Sequence, residues 1–211
     1  MPTGNYPQYS TFQLLNFSAL KRIGLTGGIG CGKSTVVNEL RRQDIPCFVA
    51  DEVARNYYNL PSFVKEVETS LGEKVTLEDG SVDRAAIARI VFADNSKLDA
   101  LNNLVHPRVV HDFEVWCQEH SHEPLVFFES AILYEYGFDR LMDAVVAVYL
   151  DRDERIRRLL ERDHCSVQAV EARMQNQWPD EQKTMQADFV ILNYEGNPRS
   201  RQVKTILERL L

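Results

Sequence analysis

The sequence has little of several features that mark large classes of proteins. Its four cysteines are widely spaced and form no C-x-x-C pair, which argues against a zinc site and a disulfide framework. No apolar run approaches the roughly 18 residues of a membrane span. There are 24 basic residues against 31 acidic ones, so the basic excess typical of nucleic-acid-binding proteins is missing. We therefore expect a cytoplasmic monomer with free thiols and with no nucleic-acid or membrane partner.

The first 20 residues also lack the basic segment that opens a signal peptide. They are polar and rich in turn-forming residues, and then weakly apolar. We expect residues 1–20 to be a leader that need not be ordered, followed by one folded domain over residues 21–211.

The most informative stretch is the glycine-rich segment 23–35. Its first part, Ile23–Thr26, is a short apolar run that predicts a strand. From Gly27 the chain reads G-x-x-x-x-G-K-S, which is the P-loop pattern in its required place between a strand and a helix. The helix is indicated by the spacing of three apolar residues, Val36, Val37 and Leu40.

The residue types of this segment suit the binding of a triphosphate. Glycines let consecutive backbone N–H groups point into one concavity, and the start of the next helix adds positive potential. Lys33 can follow the β- and γ-phosphates, and Ser34 offers a hydroxyl to Mg²⁺. A simple capped glycine turn would not require Gly-Lys-Ser at this offset. The predicted ATP contacts in the loop are Gly28, Ile29, Gly30, Cys31, Gly32, Lys33, Ser34 and Thr35.

Two acidic residues follow strand-like runs further along the chain. Asp51 comes after Ile45–Ala50, and Glu129 comes after Pro124–Phe128. Ligands of doubly wound sheets bind outside the carboxyl ends of the strands, so both acids are candidates for the site. Glu129 would organise Mg²⁺. The alternatives are a helix N-cap at Asp51 and a plain loop carboxylate at Glu129.

The segment between these two acids has a helical pattern. Residues 56–104 predict a helical insert with short helices at Phe63–Leu71, Asp83–Phe92 and Ser96–Leu104. Pro107 suits the first position of a further helix, with His106 as its cap. A second interpretation places His106 and Arg108 at the phosphate end of a substrate cleft.

A run of charged residues, Asp151–Asp163, predicts a largely solvated helix. Arginines on a mobile helical lid could also neutralise charge that develops during phosphoryl transfer. The candidates are Arg158, Arg162 and, on the following helix, Arg173. Their spacing does not determine which of them point inward.

The order of the elements predicts an α/β protein with a P-loop NTPase three-layer sandwich and a parallel five-stranded sheet. The last two strands are expected at Ala144–Leu150 and Asp188–Leu192, and a closing helix at Arg199–Leu211. The expected division is a core (21–55, 105–150 and 184–211), a helical acceptor-binding insert (56–104) and a helical lid (151–183).

From Leu20 onward the chain resembles the dephospho-coenzyme A (dephospho-CoA) kinases. The P-loop is shared by many kinases, but its combination with His106-Pro107 and the segment at 187–193 is more specific. The resemblance rests on I-G-L-T-G-G-I-G-C-G-K-S-T at 23–35, A-D-E-V-A-R at 50–55, L-N-N-L-V-H-P-R-V at 101–109, I-R-R-L-L-E-R-D at 156–163 and A-D-F-V-I-L-N at 187–193.

This resemblance implies transfer of the γ-phosphoryl group of ATP, with Mg²⁺, to the ribose 3′-hydroxyl of dephospho-CoA. Asp51 matches the family acid near the acceptor hydroxyl, as general base or orienting group, and Asn193 resembles a position near the nucleotide base. The implied catalytic set is Lys33, Asp51, Arg158 and Arg162. Arg162 and Asn193 would also contact ATP, and Asp51, His106, Arg108 and Glu129 would lie on the acceptor side.

Two stretches depart from the family pattern. Val49-Ala50-Asp51 stands where the family usually has Asp-x-Asp, so only the second acid remains. Glu129-Ser130-Ala131-Ile132-Leu133 replaces a motif with proline before two leucines, so the loop after Glu129 need not follow the family shape.

Three other functions fit parts of the pattern. The first is another small-molecule kinase, such as a nucleoside monophosphate kinase. A GTP-dependent switch is disfavoured, because no Asn is followed by Lys and no Gly has an Asp three residues before it. A non-catalytic nucleotide-binding module is disfavoured by the two strand-end acids.

Overall fold

The computed structural model describes residues 20–211, so nearly all of the expected leader, residues 1–19, lies outside the described residues. The chain divides into two compact units. The first combines the chain up to Phe48 with Cys117–Leu211, and the second is Val49–Trp116. The second unit contains the predicted insert 56–104 and extends beyond it at both ends. The functional boundaries of insert and lid stay predictions.

Five strands form one sheet in the order β2-β3-β1-β4-β5. The pairs β1–β3, β1–β4 and β4–β5 are parallel. This arrangement confirms the predicted α/β class and the five-stranded sheet. The strands are β1 (Lys21–Thr26), β2 (Cys47–Val49), β3 (Leu125–Glu129), β4 (Ala144–Tyr149) and β5 (Phe189–Leu192).

The helices connect and cover these strands. Within residues 20–211, no helix combines the length and apolarity needed to cross a bilayer. In chain order the helices are α1 (Lys33–Arg41), α2 (Ala50–Tyr57), α3 (Pro61–Leu71), α4 (Arg84–Ala93), α5 (Asn95–Glu119), α6 (Arg152–Asp163), α7 (Val167–Gln175), α8 (Asp180–Gln186) and α9 (Arg199–Leu210), with a short 3-10 helix at Phe138–Leu141.

The middle of the sheet is buried on both faces, which explains why β3 and β4 are almost entirely apolar. On one face, Phe127 lies with Val36 of α1 and Val203 of α9. On the other face, Phe128 stacks on Phe48 with ring centroids 5.6 Å apart. Burying side chains of this size contributes about 1.5–3 kcal/mol each, so the sheet is a rigid support for the loops at its carboxyl edge.

Helix α5 differs from the prediction of two shorter helices. It continues through Pro107, so the interpretation of His106 as a cap at a helix start is wrong. An interior proline costs about 3 kcal/mol. The helix also buries Val109 and Phe113, which are 3% and 0% exposed, and burial of two such side chains contributes about the same free energy or more. Continued packing therefore offsets the helix-breaking residue.

Candidate active site

The P-loop connects the carboxyl end of β1 to the first residue of α1. Lys33 begins the helix, and its Nζ donates a hydrogen bond to the Gly27 carbonyl at 2.9 Å. Within residues 20–211, the backbone N–H groups of Gly30, Gly32 and Ser34 have no hydrogen-bond acceptor. Because N–H groups at the start of a helix lack intrahelical partners, they suit the oxygens of a phosphate.

Glu129 is brought to the P-loop by strand register. Pairing of β1 with β3 places Glu129 opposite Leu25, two residues before the loop begins. The carboxylate is 7% exposed, and its Oε1 lies 3.7 Å from Nζ of Lys33. The interpretation of Glu129 as a plain loop carboxylate is therefore wrong, because Glu129 ends a buried strand beside the P-loop lysine. Its role toward Mg²⁺ stays a prediction.

Asn193 reaches the other side of the same loop from the end of β5. Its backbone N–H is bonded to Tyr149 at the end of β4, and its side-chain Nδ2 donates to the Cys31 carbonyl at 2.6 Å. Its Oδ1 accepts from Arg199 at 2.6 Å. Asn193 thus holds the second half of the P-loop, and its predicted contact with the nucleotide base stays a prediction.

Cys31 is fully buried in this loop. Burial raises the pKa of its thiol, and the nearby Lys33 only partly opposes this effect. The thiol is therefore a small apolar group in the loop rather than a reactive nucleophile.

The first half of the P-loop is held by the segment that follows α7. Asp180 Oδ1 accepts a hydrogen bond from the Gly28 N–H at 2.7 Å, and Gln177 Oε1 accepts from the Ile29 N–H at 2.9 Å. Asp180 also forms a buried ion pair with Arg155 of α6. Burial raises the pKa of Asp180, while the charge of Arg155 opposes that rise.

The loop after Glu129 is fixed by a buried lysine. Lys183 is 0% exposed, and its Nζ donates to the Ala131 carbonyl and lies 2.7 Å from Glu135 Oε1. Glu135 also accepts from the Trp178 N–H at 2.8 Å. These bonds give the loop a defined shape although it lacks the proline of the family pattern.

The predicted lid arginines bond to carboxylates of α6 in the described structure. Arg158 pairs with Glu154 at 2.9 Å, and hydrogen bonds from the arginines of α6 lower the pKa of Glu154 to about 2. Arg162 and Arg173 both pair with Asp163 at 2.6 Å and hold its pKa well below the usual range. Any contact with phosphate would have to compete with these pairs.

Three predicted site residues lie in the second unit. Asp51 is exposed in the first turn of α2, and Val49 is the N-cap, so the N-cap interpretation of Asp51 is wrong. His106 is 8% exposed within α5, and burial lowers its pKa to about 4. Arg108 pairs with Glu66 at 2.7 Å. The roles of Asp51, His106 and Arg108 toward an acceptor stay predictions.

The sequence analysis missed Arg155, Gln177 and Asp180, which contact or support the P-loop. One signal was available, because Arg155 lies four residues before Leu159 and therefore on the apolar face of α6, where a charge needs a partner. Nothing in the sequence indicates that its partner is 25 residues away or that both meet Gly28.

Replacing Gly32 by alanine should strongly weaken ATP binding. Gly32 has φ +99°, and a Cβ there would lie 2.1 Å from Asn193 Nδ2. We expect an increase of about 100-fold in the Kd for Mg·ATP, because the loop must shift and break the bond to Asn193. Isothermal titration calorimetry measures this change.

The matched control is Gly196→Ala. Gly196 has φ +79°, but a Cβ there meets nothing within 4 Å. It should lower the free energy of unfolding by about 1 kcal/mol without changing the Kd for ATP. Equal Kd values for the Gly32→Ala variant and the unmodified protein would show that the close contact with Asn193 is unimportant.

His106 should make stability depend on pH. The folded state disfavours its protonation, so the unfolded state binds more protons between the ordinary pKa of 6.5 and about 4. The free energy of unfolding should therefore fall by about 2 kcal/mol from pH 7 to pH 5 through this group.

Urea unfolding of His106→Gln tests this point, because the variant should lose that part of the pH dependence. His111→Gln, at an exposed position of the same helix, is the control and should keep it. An unchanged pH dependence in His106→Gln would contradict the assignment.

Comparison with known proteins identifies the family. The family model for dephospho-CoA kinase matches residues 21–198. A dephospho-CoA kinase of Listeria monocytogenes serotype 4b is 35% identical over 196 residues, which are 90% of this chain and 98% of the relative. One from a Synechococcus species is 37% identical over 185 residues, 86% of this chain and 88% of the relative.

Two solved structures are similar to this chain in fold. A Thermus thermophilus protein is similar with a TM-score of 0.78 and 33% identity, covering 92% of this chain and 99% of that one. Shikimate kinase from Acinetobacter baumannii shares the fold, with a TM-score of 0.51, 16% identity and coverage of 92% and 94%. With its P-loop, Glu129 and Asn193 assembled at one edge of the sheet, the chain belongs to the dephospho-CoA kinase family.

Proposed function

We infer that this protein transfers the γ-phosphoryl group of ATP to the ribose 3′-hydroxyl of dephospho-CoA, which gives CoA. The observation that carries this inference is the match of the dephospho-CoA kinase model to residues 21–198, a range that includes the whole P-loop. The geometry of the loop supports it, because unpaired N–H groups and Lys33 converge where β1 ends.

In phosphoryl transfer the protein mainly positions the reactants and stabilises charge. Within the predicted contacts from Gly28 to Thr35, we assign the binding of the phosphates to the backbone N–H groups of Gly30, Gly32 and Ser34, because those of Gly28 and Ile29 have acceptors within the protein. Nζ of Lys33 would exchange the Gly27 carbonyl for the γ-phosphate, while Glu129, 3.7 Å away, would remain beside it. The lysine would then place positive charge near the oxygen that bridges the β- and γ-phosphates.

Mg²⁺ is the metal that we propose for this site. The donors present are the exposed hydroxyl of Ser34 and the carboxylate of Glu129, and hard oxygen donors of this kind suit Mg²⁺. Among residues 20–211 there is no cluster of three or more His, Cys, Asp or Glu that could hold a metal ion. When bound, the ion would neutralise charge on the transferred phosphate.

We propose three residues for recognition of the acceptor. Asp51 would accept or orient the proton of the ribose hydroxyl. His106 would act as a neutral hydrogen-bonding group, because a pKa of about 4 leaves it uncharged at pH 7. Arg108 would supply the positive charge, shared with Glu66.

The arginines of the proposed lid would stabilise the phosphates by exchange of partners. Arg158 and Arg162 already form ion pairs with Glu154 and Asp163. If these arginines moved to the phosphates, each would exchange one anionic partner for another. Closure of the lid would therefore not add the full cost of desolvating the two guanidinium groups. A cytoplasmic location and a monomeric state stay predictions.

A direct assay tests the proposed function. The full-length protein with Mg·ATP should convert dephospho-CoA to CoA, detected by mass spectrometry, with the new phosphate located at the 3′ position by NMR. Lys33→Ala should lower kcat by about 100-fold or more, because it removes the positive charge that stabilises the transferred phosphate. Faster phosphorylation of a nucleoside monophosphate than of dephospho-CoA would instead indicate a nucleotide kinase.

Asp51→Asn should separate chemistry from ATP binding. We expect kcat to fall by about 100-fold to 10,000-fold, the usual contribution of a general base, while the Kd for ATP stays within about twofold. Glu52→Gln removes the same charge one residue further along α2 and should keep most of the activity. Unchanged turnover in Asp51→Asn would remove this residue from the mechanism.

A further inference from the structure

A buried ion pair supports the outer half of the P-loop. Arg155 of α6 is 8% exposed and Asp180 at the start of α8 is 3% exposed, and their side chains are in direct contact. A buried pair is weak evidence for stability alone, because desolvation of both charges costs about as much as their attraction returns. A role in positioning the P-loop accounts better for the two buried charges of Arg155 and Asp180.

The pair contacts the backbone of the loop. Asp180 shares its carboxylate between Arg155 and the Gly28 N–H, which it accepts at 2.7 Å. A Cβ at Gly28 would lie 1.9 Å from Arg155 Nη1 and 2.5 Å from Asp180 Oδ1, so the glycine gives both side chains access to the chain. Gln177 accepts the next N–H, that of Ile29, at 2.9 Å.

These contacts divide the P-loop into two parts. The N–H groups of Gly28 and Ile29 have acceptors within the protein, whereas those of Gly30, Gly32 and Ser34 have none among the described residues. An unpaired N–H in the first part would need another acceptor, so the loop could turn and lose the direction of the second part. The side chains at 177 and 180 therefore leave the second part for phosphate.

Arg155 makes a carboxylate acceptable at this place. A lone Asp180 would repel a triphosphate bound in the neighbouring loop. Paired with Arg155, it presents a neutral unit with an accepting oxygen toward Gly28. Leu159, one turn further along α6, packs against the space beside Gly30, which fixes the same helix to the loop.

The segment that contains Asp180, residues 177–183, is also bonded to the loop after β3. Trp178 and Lys183 both bond to Glu135, in the loop after β3. Residues 177–183 thus link the P-loop to the loop that follows Glu129, and Asp180 lies in the middle of this link.

We propose that Asp180 is a positioning residue of the nucleotide site, with Arg155 as its counter-ion and Gln177 as a second acceptor. Asp180 holds the Gly28 N–H so that the following N–H groups face the phosphates. The inference rests on the proposed function only in that the P-loop binds ATP. It goes beyond that function because Asp180, Arg155 and Gln177 all lie outside the P-loop, and Arg155 is not one of the predicted lid arginines.

Two double variants separate the accepting oxygen from the buried charges. Arg155→Gln with Asp180→Asn removes both charges and keeps an oxygen for Gly28. Arg155→Gln with Asp180→Leu removes the charges and the oxygen at nearly the same volume. We expect the Kd for Mg·ATP to stay within about threefold in the first and to rise about tenfold or more in the second, on the scale of one lost hydrogen bond.

The same variants distinguish other roles of the pair. The KM for dephospho-CoA should not change, because the contacts removed are those to the P-loop. A rise confined to the Kd for ATP would therefore argue against a general loss of folded protein. Gln177→Met, which removes the acceptor of Ile29 from a half-buried site, should raise the Kd about threefold to tenfold even if the leucine variant fails to fold. Glu171→Gln breaks an exposed pair with Arg152 between α6 and α7 and should leave the Kd unchanged.

The outcomes decide the proposal. Equal Kd values in the two double variants, together with an unchanged Kd in Gln177→Met, would overturn it. A lower Kd in the leucine variant would also overturn it, because Asp180 would then compete with the phosphates. Calorimetric titration with Mg·ATP alone needs no acceptor, so the result stands even if dephospho-CoA is not the substrate.

Discussion

Backbone N–H groups at the start of α1 have no carbonyl of the helix within reach, and the structure is organised around supplying them with partners. Side chains hold both edges of the P-loop. Asp180 and Gln177 accept from the N–H groups of Gly28 and Ile29, and Asn193 donates to the Cys31 carbonyl. The remaining N–H groups, those of Gly30, Gly32 and Ser34, have no acceptor among the described residues.

The sheet brings side chains from distant parts of the sequence to the P-loop. Parallel register between β1 and β3 places Glu129 beside the start of the loop, and register between β4 and β5 places Asn193 after Tyr149. Because parallel strands share a carboxyl edge, Asn193 and Cys31 meet within hydrogen-bond distance although they are 162 positions apart. A buried, apolar sheet makes this edge rigid, which is what a binding site with fixed N–H directions requires.

Charge in the site is balanced locally, although the chain carries a formal net charge of -7. Lys33 lies near Glu129, Arg155 pairs with Asp180, and Lys183 pairs with Glu135. A triphosphate therefore meets oriented N–H groups and exchangeable cations rather than a strongly positive surface. Binding by direction rather than by net charge suits a protein whose overall field repels its ligand.

Sequence reasoning predicted what depends on local pattern. The P-loop, the five strands and the position of Glu129 follow from residue spacing and from strand ends. It failed at Pro107, where the burial of Val109 and Phe113 continues α5 through a residue that usually ends a helix. The N-cap interpretation of Asp51 was also wrong, because α2 begins at Ala50 with Val49 as its N-cap, two residues earlier than a cap at Asp51 would require.

The missing part of the site is made of long-range pairs. Arg155, Gln177 and Asp180 are ordinary polar residues of helices and turns in the sequence, and only the fold brings them to Gly28 and Ile29. Lys183 shows the same limit, since a lysine in the middle of a short helix gives no sign that it will be fully buried beside Glu135. Side-chain partners across 150 residues are set by packing, which no local pattern contains.

Hydrogen–deuterium exchange of individual P-loop amides, with and without Mg·ATP, tests the central claim most directly. The account predicts that the amides of Gly28 and Ile29 are protected in the free protein. Those of Gly30, Gly32 and Ser34 should gain protection only when the nucleotide binds. Fast exchange of all five amides in the free protein, followed by protection of all five with ATP, would contradict a loop that the protein shapes in advance.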